Sequence, residues 1–182
     1  WELGFFFANY FNKYLRVKLD PATANAVQQD FKTLCSELAA GPRVLTHRDY
    51  HARNLMMHGG ETFIIDHQDA RMGPASYDVA SLLSDPYTTL SREVVLELTE
   101  WFIEMKAKSK LPLLSVDEFR IELELMTVQR MLKAIGTYAS QAAAGNPVYI
   151  PYLEPALDRA LAAMKSLGRF HATRELLEHT RE

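Results

Sequence analysis

The stretch Arg43-Val44-Leu45-Thr46-His47-Arg48-Asp49-Tyr50-His51-Ala52-Arg53-Asn54-Leu55-Met56-Met57-His58-Gly59-Gly60-Glu61-Thr62-Phe63-Ile64-Ile65-Asp66 breaks an otherwise helical chain. Val44-Leu45-Thr46, Leu55-Met56-Met57 and Thr62-Phe63-Ile64-Ile65 are short apolar runs bounded by turn residues, which is the pattern of strands. Gly59-Gly60 between the last two predicts a tight hairpin, because both central residues of such a turn need positive φ. The segment therefore reads as a small β element with polar residues crowded at its ends. Residues 66–78 contain Gly73-Pro74 and keep no period, so they read as a loop.

Outward from this element the pattern turns helical in both directions. Trp1, Phe5, Ala8, Phe11 and Leu15 recur at helical spacing and predict a first helix with an aromatic face. Asp20-Pro21 supplies a cap and a first-turn proline for a second helix that carries Val27, Phe31, Leu34 and Leu38 and stops at Gly41-Pro42. Downstream, helices are predicted over residues 78–83 and 91–109. The capping box Ser115-Val116-Asp117-Glu118 opens a long helix carrying Phe119, Leu123, Met126, Met131 and Ile135, which ends near Gly145-Asn146-Pro147. Two further helices follow, over 155–167 and 173–179. The fold class is mainly α with a small β insertion (α+β), in one domain spanning residues 1–182.

Composition narrows the functional classes. The chain has 182 residues, of which 48% are apolar and 24% charged, enough for one hydrophobic core. A formal net charge of −3 argues against a nucleic-acid partner, which asks for a strongly basic face. No apolar run approaches the ~18 residues of a membrane span, so no membrane partner is expected. Cys35 is the lone cysteine, which rules out an intrachain disulfide and makes a reducing, cytoplasmic setting the default.

The chemistry concentrates where the strands end. Asp49 follows the first strand, Asn54 begins the next after a five-residue step, and the hairpin returns Asp66 to the same end. A carboxylate, an amide oxygen and a second carboxylate are thereby expected to converge. Phosphoryl transfer from a nucleotide needs such a set: magnesium prefers hard oxygen ligands and takes one or two protein groups beside phosphate oxygens, a role that suits Asn54 and Asp66. The acceptor hydroxyl needs a nearby carboxylate to orient it and take its proton, which suits Asp49 as catalytic residue. Any one of these residues alone would read as a turn or cap residue.

His47-Arg48-Asp49-Tyr50-His51-Ala52-Arg53-Asn54 matches the protein-kinase catalytic loop His-Arg-Asp-x-x-x-x-Asn, with Asp66 in the place of the metal-binding Asp. Together with Ile65-Asp66-His67-Gln68-Asp69-Ala70, Gly73-Pro74, Tyr77-Asp78-Val79-Ala80-Ser81-Leu82-Leu83 and Gln129-Arg130-Met131-Leu132-Lys133-Ala134-Ile135-Gly136, the chain resembles the C-terminal lobe of the aminoglycoside phosphotransferase and choline kinase-like superfamily. Within it, the chain is most similar to bacterial N-acetylmuramate/N-acetylglucosamine anomeric kinases of cell-wall recycling. After Asp66, where that subgroup often has an aromatic residue, this chain has His67.

The resemblance implies an ATP-dependent, Mg2+-requiring transfer to a hydroxyl of an amino sugar or similar small molecule. It assigns Asp49 as catalytic base, Asn54 and Asp66 as metal ligands, and Asp78 as the residue bracing the catalytic loop through backbone hydrogen bonds. An N-cap for the helix that Asp78 opens is the alternative. His47 is expected to be structural. Arg48 and Arg53 could meet a substrate anion or phosphate, and Gln68 and Asp69 substrate hydroxyls. An aminoglycoside, a choline-like amine and homoserine stand beside amino sugars as acceptors.

The superfamily also implies a Gly-rich loop and a lysine-bearing strand in an N-terminal nucleotide-binding lobe. Neither occurs ahead of the catalytic loop in a chain that opens at Trp1, so the chain is expected to be a C-lobe from a longer parent, inactive when isolated. An exposed apolar surface near Trp1, Phe5 and Phe6 would mark where that lobe packs. Two rival readings differ in class. One is a metal-dependent hydrolase built on His47, Asp49 and His51, with His58 and His67 nearby. The other is a non-catalytic binding module.

Overall fold

The computed structural model describes residues 1–109 and 114–181. Its elements are α1 (Glu2–Phe7), a π-helical segment (Ala8–Tyr14), α2 (Pro21–Ala40), β1 (Arg43–Thr46), a 3-10 turn (Ala52–Asn54), β2 (Leu55–His58), β3 (Glu61–Ile64), β4 (Arg71–Pro74), α3 (Tyr77–Leu83), α4 (Arg92–Lys108), α5 (Val116–Ala143), a second 3-10 segment (Pro147–Tyr152), α6 (Leu153–Leu167) and α7 (His171–His179). The chain is mainly α with small antiparallel sheets. Among the described residues, no helix is long and apolar enough to cross a membrane.

The 28-residue α5 is the axis of the core. It starts where its capping box is closed: Ser115 Oγ accepts from the Glu118 backbone and Glu118 accepts from the Ser115 backbone. Its buried face, including Met126, Val128, Leu132 and Ile135, packs against α1, the π segment and α6 in one continuous hydrophobic cluster. Gly136 lets α1 lie directly on α5: a Cβ there would stand 2.6 Å from Phe6 Cα. Asp20 caps α2 by accepting from the Ala22 and Thr23 backbones.

The aromatic first helix differs from the expected face. Leu3, Phe6, Tyr10 and Phe11 point inward, Phe6 is fully buried, and Trp1 is 95% exposed. A π-helix brings residues five apart into line, and the rings of Phe6 and Phe11 meet edge-on at 5.4 Å. Within α1 the buried face is the one carrying Leu3 and Phe6, not the one carrying Trp1 and Phe5, so the apolar surface expected near Trp1, Phe5 and Phe6 does not include Phe6. Exposed apolar side chains gather instead on the β2–β3 hairpin, where Met56, Met57, Phe63 and Ile64 are each about half exposed or more.

The β element is two separate two-stranded sheets, not one. β2 and β3 form the expected hairpin in the register Leu55↔Ile64 to His58↔Glu61, with Gly59 and Gly60 both at positive φ. β1 pairs antiparallel with β4, Arg43↔Pro74 to Thr46↔Arg71, inside the stretch read as loop. Gly73 and Pro74 look like breakers locally. In a two-stranded ladder, however, both strands are edges and tolerate proline. Glycine at 73 also leaves room for the buried Thr46, whose Oγ1 would stand 2.9 Å from an added Cβ. The β1–β4 ladder and the hairpin thus flank the segment 47–54 from either side.

Candidate active site

The loop between β1 and the 3-10 turn is held from below by carboxylates. Asp78, in the first turn of α3, accepts from the backbone N–H of His47 at 2.7 Å and of Arg48 at 2.9 Å. The cap position of α3 belongs to Ser76, so the Asp78 side chain is spent on the loop. The two bonds hold Arg48 at φ 76°, a left-handed conformation that costs a non-glycine residue about 1–3 kcal/mol. Asp85, buried after α3, does the same further along, accepting from Ala52 N and Tyr87 N, each at 2.9 Å. His47 fills the space behind the loop with Nε2 2.9 Å from the Ile65 carbonyl.

Asn54 ties the two ends of the site together. Its Nδ2 donates to the Asp49 carbonyl at 2.9 Å and to Asp66 Oδ2 at 3.3 Å, while Ile65 N donates to the Asn54 carbonyl at 3.1 Å. Gln68 donates to the other Asp66 oxygen at 2.7 Å. Asp66 itself sits at φ 68°, the second strained residue of the site. Asp69 lies at the surface, in a long ion pair with Arg71 at 3.7 Å.

The two carboxylates differ in electrostatics. Asp49 Oδ1 has two cations near it, Arg130 at 3.5 Å and Lys133 at 3.6 Å. Burial pushes the Asp49 carboxyl up, but Lys133 and Arg130 outweigh it and hold the group below the ordinary carboxylate value. Among the described residues, Asp66 has no ion-pair partner; its hydrogen bonds come from neutral amides. An anionic oxygen ligand without a competing cation, beside an amide that can present its own oxygen, fits magnesium, which needs few protein ligands. Asp66 and Asn54 would hold the ion.

Other predicted residues are engaged elsewhere. Arg48 pairs with Glu2 at 3.1 Å. The Arg53 guanidinium lies 3.6 Å from the Tyr87 ring centroid, with Tyr149 and Tyr152 close by. His47, Asp49 and His51 do not come together: among the described residues, no group of three or more His, Cys, Asp or Glu side chains is placed to hold a metal. The hydrolase reading thus lacks its ligand cluster.

The sequence reading missed Glu2, Asp85 and the roles of Arg130 and Lys133. Glu2 is a hub: besides Arg48 it accepts from Gln129 at 2.6 Å and lies 3.5 Å from Lys133. Arg130 and Lys133 stand one turn apart on the buried side of α5, a polar interruption of an apolar face that could have signalled a site.

Comparison with known proteins bears on the family. Residues 2–110, more than half of the chain, match the phosphotransferase enzyme family. An N-acetylmuramate/N-acetylglucosamine kinase of Neisseria meningitidis is 42% identical over 113 residues, 62% of this chain and 34% of the relative. Proteins of the same name from Pseudomonas aeruginosa and Pseudomonas putida are 32% and 30% identical, over 87% and 71% of this chain and 49% and 39% of their own lengths. The chain therefore spans from a third to a half of the curated relatives that it matches. With the family match reaching from α1 past the loop, the hairpin and α3, the chain belongs to the phosphotransferase enzyme family.

Proposed function

We propose that the protein carrying this chain is an ATP-dependent phosphotransferase that phosphorylates a hydroxyl of an amino sugar or similar small acceptor. These residues would be the C-terminal lobe of a protein-kinase-like fold. The nucleotide-holding Gly-rich loop and lysine would belong to an N-terminal lobe of the parent chain. The observation that carries the reading is the Asn54 amide, bonded at once to the Asp49 backbone and the Asp66 carboxylate. It sets a cation-paired carboxylate and an unpaired one on two sides of one short loop. The family match and the names of the relatives support the same class and suggest the amino-sugar acceptor.

In this reading Asp49, anionic at neutral pH, accepts a hydrogen bond from the acceptor hydroxyl, aims its oxygen at the terminal phosphoryl group of ATP and takes the proton as the new P–O bond forms and the bond to the bridging oxygen breaks, releasing ADP. Asp78 and Asp85 fix the backbone on either side of Asp49, because positioning supplies much of the rate in this chemistry. Asp66 and Asn54 would hold a magnesium ion, whose charge would offset that of the phosphate oxygens. The test is a panel of amino sugars, aminoglycosides, choline and homoserine incubated with the complete gene product, labelled ATP and Mg2+. Labelled phosphate on an amino-sugar hydroxyl is the expected result. Hydrolysis of ATP with every acceptor left unlabelled would refute the reading.

A further inference from the structure

Beside Asp49 lies a cavity of about 130 Å3 whose lining includes His51, Asp85, Arg130, Lys133 and Tyr138 but neither Asn54 nor Asp66. It therefore opens from Asp49 on the side away from the proposed metal ligands, where an acceptor must enter. We propose that Arg130 and Lys133 form an oxyanion subsite in this cavity that selects acceptors carrying a carboxylate arm; the proposal rests on the phosphotransferase reading above.

Several features converge on it. The Arg130 side chain is only 10% exposed. It is locked in place by its 2.7 Å bond to the Tyr77 hydroxyl and by the Tyr77 ring 4.8 Å away. Its Nε is nonetheless buried without a hydrogen-bond partner, as is His51 Nδ1 on the same lining. Orphaned buried polar atoms are costly, and a bound acceptor oxygen satisfies a donor of this kind. Lys133 Nζ stands 3.5 Å from Glu2 and 3.6 Å from Asp49, long for charge-assisted hydrogen bonds, so its donors can be drawn to a closer anion.

Of the charged groups lining the cavity, Arg130 and Lys133 stand against Asp49 and Asp85. Both Asp85 oxygens are already taken by backbone donors. The cavity is open to solvent, so a short acid arm can enter it while the sugar ring rests at its mouth beside Asp49.

The experiment uses N-acetylmuramate and N-acetylglucosamine, the same ring with and without a carboxylate arm, on the complete gene product and its Lys133→Gln and Lys133→Arg variants. The readout is the ratio of kcat/KM for the acidic sugar to that for the neutral one, so that any loss common to both cancels. Losing one charge-assisted contact should lower this ratio about 10- to 100-fold in Lys133→Gln. Lys133→Arg, which keeps the cation, should hold it within about threefold of wild type. An unchanged ratio in Lys133→Gln would overturn the subsite. So would an equal fall for both sugars with a raised KM for ATP, which would instead place Lys133 on the transferred phosphoryl group. A wild-type protein that phosphorylates neither sugar would overturn the subsite, and one that leaves the whole acceptor panel unlabelled would take down the phosphotransferase reading as well, whereas an unchanged ratio removes the subsite alone.

Discussion

Replacing Asp78 by alanine removes the acceptor for two backbone N–H groups of the loop, at His47 and Arg48. Hydrogen bonds to a charged group are worth about 1.5–3 kcal/mol each, so their sum is about 3–6 kcal/mol. Two effects reduce it. The loop is only partly buried, so water recovers some of the lost bonding. Arg48 is also freed from its left-handed backbone, returning about 1–3 kcal/mol. A net loss of about 2–4 kcal/mol follows. With a urea m value near ~2 kcal/mol/M, the unfolding midpoint of the 182-residue chain should fall by about 1–2 M. Asp78→Asn keeps one acceptor oxygen and should lose roughly half as much. Amide hydrogen exchange locates the effect, since the His47 and Arg48 amides should lose protection in Asp78→Ala before those of α5 do. An unchanged midpoint with both amides still protected would refute the reasoning.

Three further outcomes are expected. Gly136→Ala should destabilise the chain by about 1–3 kcal/mol, read as a lower Tm, because its methyl meets the Phe6 backbone and not a flexible side chain. Asp49 is held below the ordinary carboxylate value, so the stability it contributes is present above that value and lost as pH falls through the lowered folded one. The Tm gap between wild type and Asp49→Asn should therefore narrow on acidification from about pH 5 downward, and a gap that widens would contradict the sign. Finally, the purified 182-residue chain should phosphorylate no acceptor in a labelled-ATP assay, and steady turnover by it would refute the proposal that a further lobe holds the phosphates.

The parts of the fold that sequence reveals are those written locally. The starts of α2 and α5 follow from Asp20-Pro21 and from the box at Ser115 and Glu118, where a few neighbouring residues satisfy the free N–H groups of a helix end. The hairpin is written just as locally, since Gly59-Gly60 supplies the positive φ angles of its turn. β4 escaped because its pairing with β1 spans some twenty-five residues and overrides the breaker character of Gly73-Pro74. The inward face of α1 escaped because aromatic residues lie on more than one side of this helix, and only its packing on α5 selects the side of Leu3 and Phe6. The site divides in the same way. His47 to Asn54 and Asp66 lie within one short stretch and could be read together. Arg130 and Lys133 reach Asp49 from a helix far away in sequence, and the packing of α1 on α5 adds Glu2 beside Lys133.

The division of labour between Asp49 and Asp66 is the claim on which the account turns, and Mg2+ dependence measured alongside turnover in Asp49→Asn and Asp66→Ala of the complete gene product tests it most directly. The account predicts that Asp49→Asn loses about 10²- to 10⁴-fold in kcat with its Mg2+ requirement little changed. It predicts that Asp66→Ala needs far more Mg2+ as its rate falls, because an anionic ligand is gone. Weakened Mg2+ dependence in Asp49→Asn together with wild-type Mg2+ dependence in Asp66→Ala would contradict it.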